Sequence, residues 1–219
     1  YNRGVILDRE GEFEGASALY ARVVELLEEG ANRAVAATAE LSRGVCLAGM
    51  GFHEESARCM EKAARLNPCD TSAIFNRACC LELEERFEEA IRGYEEALRS
   101  DSGMMERVEL KKGLCLERLG RWREAARRFD RILAANPRDG EAWMEQATCF
   151  HALGERERAY ELYLRAVAVS PDNAEAWSRM GLLLRSLGEP EKALECFREA
   201  LKLDSRDPEI LACIADSNL

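Results

Sequence analysis

GEAWMEQATCFHALGERERAYELYLRAVAVSPDN, residues 140–173, decides the fold of this chain. Apolar residues recur at helical spacing through two short blocks, a Gly turn separates the blocks, and Pro171-Asp172-Asn173 closes the stretch. Residues 174–207, AEAWSRMGLLLRSLGEPEKALECFREALKLDSRD, repeat the pattern after 34 residues. Trp143 falls on Trp177, Gly154 on Gly188, Ala159 on Ala193, Tyr163 on Phe197 and Ala166 on Ala200. A fixed period of this length predicts a stacked helical array.

Working outward, the period organises all 219 residues into one array of about six repeats. Residues 1–30 form a repeat that lacks its beginning, with Gly4, Gly11, Ala16 and Tyr20 in register. Six extra residues in the EEGANRAVAA region break the period. Gly30 can end one helix there and Asn32 can cap the next, so a longer helix is expected from about Arg33 to Ala48. Repeats follow at 37–70, 71–105, 106–139, 140–173 and 174–207, and Asp207-Pro208 opens a final helix over 208–219. Tyr1 starts in mid-pattern without a Met, so the chain is expected to be a fragment of a longer protein.

Each recurrent column has a physical reason. Helices of adjacent layers approach closely only where side chains are small, and a large aromatic one turn away fills the space beside them, at Tyr94, Phe129, Tyr163 and Phe197. Gly ends the first helix in a left-handed conformation at little steric cost. Pro68, Pro137 and Pro171 stop the second helix, since Pro cannot donate to the ladder. A helix of about three turns is marginal alone, so stacking supplies the core.

The spacing small-x6-Gly-x4-Ala-x3-aromatic-x2-Ala resembles the tetratricopeptide repeat (TPR) family over essentially the whole chain. The resemblance implies an all-α fold, a right-handed α-solenoid of stacked antiparallel helix pairs, whose first helices line a concave groove that binds proteins. Departures bear on local packing: Glu40 and Glu109 stand where Trp143 and Trp177 do, Glu85 stands in the turn, and Val23 and Ile132 replace Ala.

Composition narrows the function. Apolar residues at 47% and charged residues at 33% suit amphipathic helices with solvated outer faces and do not suit disorder. A formal charge of -10 argues against DNA and anionic membranes as partners. Of nine cysteines, Cys46, Cys80, Cys115 and Cys149 share one column, two residues after the small residue of the first helix. They read as compact apolar packing groups, reduced as in the cytosol. His53 and His151 are far apart and there is no C-x-x-C, so no metal site or cofactor is expected. No signal peptide or membrane span is recognisable, which points to a cytoplasmic chain.

No nucleophile, phosphate loop or paired acid–base motif emerges, and the chain reads as non-catalytic. If first helices line the groove, its central side chains are Leu41, Val45, Phe75, Asn76, Cys79, Arg107, Leu110, Lys111, Leu114 and Arg118, an apolar strip bordered by cations. Glu141 and Glu145 make the following repeat acidic. Some members of the resembled family hold a peptide C-terminus in a two-carboxylate clamp. Here Asn76, Arg107 and Lys111 match that clamp while Leu41 and Val45 replace its Lys and Asn, so three of five positions remain. The expected partner is therefore a protein or peptide with an acidic group or C-terminal carboxylate beside an apolar anchor. An asparagine ladder of the kind other members carry is absent, since Ser42, Lys111, Glu145 and Arg179 occupy most of its column. Self-association of the array, and a regulatory role for an enzyme whose catalytic domain lies elsewhere, are the alternatives.

Charge patterning predicts ion pairing rather than a nucleic-acid face. Arg3, Arg43, Arg77 and Lys112 share a column beside the small residue, where long stems can cover apolar surface while their charges reach carboxylates. The basic helix around Arg123–Arg131 is expected to pair with Glu88, Glu89, Glu95 and Glu96 of the preceding second helix.

Overall fold

The computed structural model describes residues 2–27, 32–67 and 70–203. These hold twelve helices and, among the described residues, no strand. They are α1 (Asn2–Arg9), α2 (Phe13–Leu27), α3 (Arg33–Gly49), α4 (His53–Leu66), α5 (Thr71–Leu83), α6 (Phe87–Ser100), α7 (Met105–Arg118), α8 (Trp122–Ala135), α9 (Gly140–Ala152), α10 (Arg156–Val169), α11 (Ala174–Ser186) and α12 (Pro190–Leu203). The fold is an all-α solenoid of helix pairs, as the period requires. The helix end at Gly30, the stop at Pro68 and the final helix over 208–219 lie outside the described residues.

The chain divides into two compact units, Tyr1–Cys115 and Leu116–Leu219, with the division inside α7. In the first unit each helix from α1 to α6 packs on the next; in the second the same holds from α8 to α12. The small and aromatic columns form the interior. Ala16, Tyr20, Ala90, Tyr94, Phe129, Tyr163 and Phe197 are at most 1% exposed. Gly181 shows why the first-helix column must be small. A Cβ placed there would lie 2.7 Å from Cε1 of Phe197, closer than two carbon atoms can come without displacement.

Turns and caps follow their sequence signals. Gly11, Gly51, Gly120, Gly154 and Gly188 hold φ between 71° and 84°. Glu85, in the same position of its repeat, is forced to φ 59°. A side chain in that region costs about 1 kcal/mol, part of which glycine would return as unfolded-state entropy. Glu85→Gly is therefore expected to stabilise the first unit by about 0.5–1 kcal/mol, read as a rise in the urea midpoint at unchanged slope. Asp70, Asp139 and Asn173 cap α5, α9 and α11 by accepting backbone N–H bonds at 2.9–3.3 Å. Asn32 occupies the N-cap of α3, but its side chain makes no capping bond.

Trp143 and Trp177 fasten one repeat to the previous one. Each indole N–H donates at 3.0 Å to a proline carbonyl, Pro137 and Pro171 respectively, at the exit from the preceding helix. Glu40 and Glu109 take that column in two other repeats and are fully buried. Glu40 answers its burial with cations, Lys62 at 3.4 Å and Arg43 at 3.9 Å. Such a pair contributes little net stability, because removing both charges from water offsets most of their attraction.

The four cysteines of the shared column are free thiols at most 2% exposed. Cations beside the small residue behave as expected. Arg77 reaches Glu96 at 3.2 Å, and Lys112, only 4% exposed, reaches Glu95 at 2.7 Å. Glu95 and Glu96 thus find partners among first-helix cations inside their own unit, and Glu89 pairs with Arg86 at 2.8 Å.

Candidate functional site

First helices stand closer together than second helices. In the first unit α3 touches α5, while a cleft of about 780 Å³ opens between α4 and α6 with Gly93 and Leu81 in its lining. The face built by α3, α5 and the unit-one part of α7 is therefore the more continuous surface. The clefts lie on the other side.

On that face the predicted groove residues separate into three kinds. Val45, at 44% exposure, is an open apolar group, and Leu41, Leu110 and Leu114 are half-buried around the strip. Phe75 is different. At 4% exposure it belongs to the core, its ring centroid 5.1 Å from that of Tyr94. The Arg107 guanidinium lies over the outer face of the Phe75 ring, 4.5 Å from its centroid. Phe75 is thus a platform that positions Arg107. A cation over an aromatic face gains roughly 0.5–1 kcal/mol at an exposed position and keeps its N–H edge free for a ligand. Asn76 and Cys79 are half-buried beside it. Among the described residues, no carboxylate forms an ion pair with Arg107 and no side chain forms a hydrogen bond with Asn76.

Lys111, the other basic clamp residue, is already engaged. Its ammonium meets Glu82 at 3.1 Å. Glu82 also accepts the Tyr94 hydroxyl at 2.5 Å, and the Cys79 sulfur lies 3.4 Å from the same hydroxyl oxygen. Burial opposes the charge on Lys111, yet Glu82 outweighs it and raises the ammonium's pKa. Burial also raises the Tyr94 phenol and the Cys79 thiol, so both stay protonated and neutral. The Glu82–Tyr94 link escaped the sequence reading. Its only signal is that the aromatic column carries a hydroxyl in this repeat and none at Phe129.

Arg118 is exposed and belongs to the second unit. There the first helices carry another network. Arg179 of α11 donates to Glu145 at 2.8 Å, to Thr148 at 2.7 Å and to Glu175 at 2.6 Å. Thr148 meets the Tyr163 hydroxyl at 3.0 Å, and the Cys149 thiol donates to Glu117 at 3.0 Å. Met144 and Glu145, at 2% and 6% exposure, are interior rather than open groove groups. No helix of the described residues is long and apolar enough to cross a membrane.

Comparison with known proteins places this arrangement. A family model described as tetratricopeptide repeat matches residues 47–104 and 110–168, and a second model of the same description matches residues 174–207. No curated protein sequence matches the chain. Among solved structures, a tetratricopeptide repeat protein from Parabacteroides merdae aligns with a TM-score of 0.74 at 18% identity, over 100% of this chain and 82% of that one. PilF of Pseudomonas aeruginosa aligns with a TM-score of 0.74 at 18% identity, over 98% of this chain and 95% of that one. YrrB, described as a tetratricopeptide repeat protein with an unusual peptide-binding site, aligns with a TM-score of 0.61 at 20% identity, over 91% and 98% of the two chains.

Proposed function

The chain belongs to the tetratricopeptide repeat family, and on that premise we propose that it is a non-catalytic scaffold that holds a peptide segment of a partner protein. The segment lies across the first-helix face of the first unit, with apolar side chains against Val45, Leu41, Leu110 and Leu114. The observation that carries this reading is Arg107, a cation fixed in place by Phe75 and without an ion-pair partner among the described residues, on the helix that also carries the half-buried Leu110 and Leu114. YrrB, similar in fold, is described as having a peptide-binding site, which supports the same mode of use here. Free, mostly buried thiols suit a reducing, cytoplasmic setting.

Magnitudes rank the contacts. Lys111 is neutralised by Glu82, so a single anionic group of the peptide would meet Arg107 and Asn76 rather than a full clamp. An exposed charge pair contributes about 0–1 kcal/mol, whereas each buried Leu-sized anchor contributes about 1.5–3 kcal/mol. Apolar contacts set the affinity and Arg107 sets the preference for an acidic neighbour.

Selection of displayed peptides on the folded chain, followed by titration, tests the proposal. Selected peptides should carry apolar anchors with an acidic side chain or free C-terminus adjacent. Arg107→Glu should weaken them roughly 3- to 10-fold, as loss of one attraction and gain of one repulsion requires. Selected peptides whose affinity ignores both Arg107→Glu and their own acidic residue would remove the anionic contact from the account.

A further inference from the structure

One slot of the repeat holds opposite chemistry in two places. In the first unit Glu82, near the end of its first helix, meets Lys111 of the next first helix and accepts the Tyr94 hydroxyl. One repeat later the corresponding residues are Glu117, Glu145 and Phe129. The ammonium has become a second carboxylate and the phenol has lost its hydroxyl. Glu117 retains only a thiol donor, Cys149 at 3.0 Å, one helical turn beyond Glu145 on α9. Glu145, 6% exposed, is committed to Arg179 at 2.8 Å. That guanidinium is shared with Glu175 and Thr148, so little of its charge is left for the half-buried Glu117.

We propose that Glu117 and Glu145 form a proton-switched carboxyl pair, through which the first-helix face of the second unit gains or loses one negative charge with pH. The switch stands apart from the peptide contacts of the first unit and does not depend on them.

Groups of α9 and α11 act on Glu117. Burial pushes its carboxyl up to about 7; the Cys149 hydrogen bond works against that, Glu145 adds to it, and Arg179 opposes it. Glu145 is itself raised by burial, with Arg179 opposing and Glu175 and Glu141 adding. Burial and the neighbouring Glu117 keep the Cys149 thiol protonated and a donor. Tyr163, raised to about 12 mainly by burial, stays a neutral partner of Thr148. Below neutrality Glu117 therefore holds its proton; above it the proton passes to solvent and the face carries a second, half-buried carboxylate. A carboxyl raised on folding gives stability that is fully present below its ordinary value near 4.5 and lost as pH climbs through about 7.

Carbon-13 carboxyl NMR of the full chain reads the switch directly. The Glu117 resonance should titrate with a midpoint about 7, and Glu145→Gln should lower that midpoint. Thermal unfolding supplies a second reading that needs no assignment. Glu117→Gln should match the parent near pH 5 and exceed it by about 5 °C at pH 8, where only the parent carries a charge that folding disfavours. A Glu117 midpoint in the ordinary carboxylate range, a midpoint indifferent to Glu145→Gln, or a melting difference flat across that pH span would each overturn the proposal.

Discussion

Tyr94→Ala is expected to lower the stability of the first unit by about 3–5 kcal/mol, while Tyr94→Phe costs only about 1 kcal/mol. Tyr94 is wholly buried, and its ring meets that of Phe75 at a tilt, with centroids 5.1 Å apart. Truncation removes a large aromatic from a site that cannot collapse, because helix backbones on both sides are held by further layers. It also removes the ring beside Phe75, which is the platform for Arg107, and the donor from Glu82. The phenylalanine variant keeps the volume and loses only the hydroxyl, so the pair separates packing from the polar link. For a chain of this size the alanine variant should melt about 10 °C lower by circular dichroism. Near-equal losses for the two variants would mean that the hydroxyl, and not the ring, holds the layer.

Val45→Asp/Leu114→Asp is expected to weaken a selected peptide by about 100-fold, with little change in melting temperature. Val45 is 44% exposed and Leu114 half-buried, so neither supports the core as Tyr94 does. Each substitution replaces apolar contact with a charge that the bound peptide would have to desolvate. Two anchors at about 1.5 kcal/mol each correspond to roughly that factor. Calorimetry on both proteins, with melting curves beside it, separates lost binding from lost folding.

How much of this was legible in the sequence depends on the range of the interaction concerned. Turn glycines, the strained Glu85, the capping Asp70, Asp139 and Asn173, and the small and aromatic columns all act within one repeat. A period makes each visible several times. Phe75 shows where helical spacing runs out. Its register puts it on the first-helix face, but Tyr94 from the paired helix and Arg107 from the next layer cover the ring. Lys111 matched a ligand-binding pattern by identity alone, and its neutralisation by Glu82 connects residues 29 positions apart. Glu40 and Glu109 stood out as departures, yet complete burial of their carboxylates is set by neighbouring layers. The Glu117–Glu145 slot was hidden for the same reason and becomes readable only once the Glu82–Lys111 pair shows what the position normally holds.

The central claim is that the first-helix face of the first unit, and not the cleft between second helices, receives the partner segment. Site-specific photocrosslinking tests it most directly, with a benzophenone side chain placed at Val45, at Leu114, or at Arg58 or Arg92 in the 780 Å³ cleft. A peptide selected on the unmodified chain should crosslink from positions 45 and 114 and be competed by excess unlabelled peptide, with none captured from 58 or 92. Competed crosslinks from 58 or 92, with 45 and 114 silent, would contradict the account.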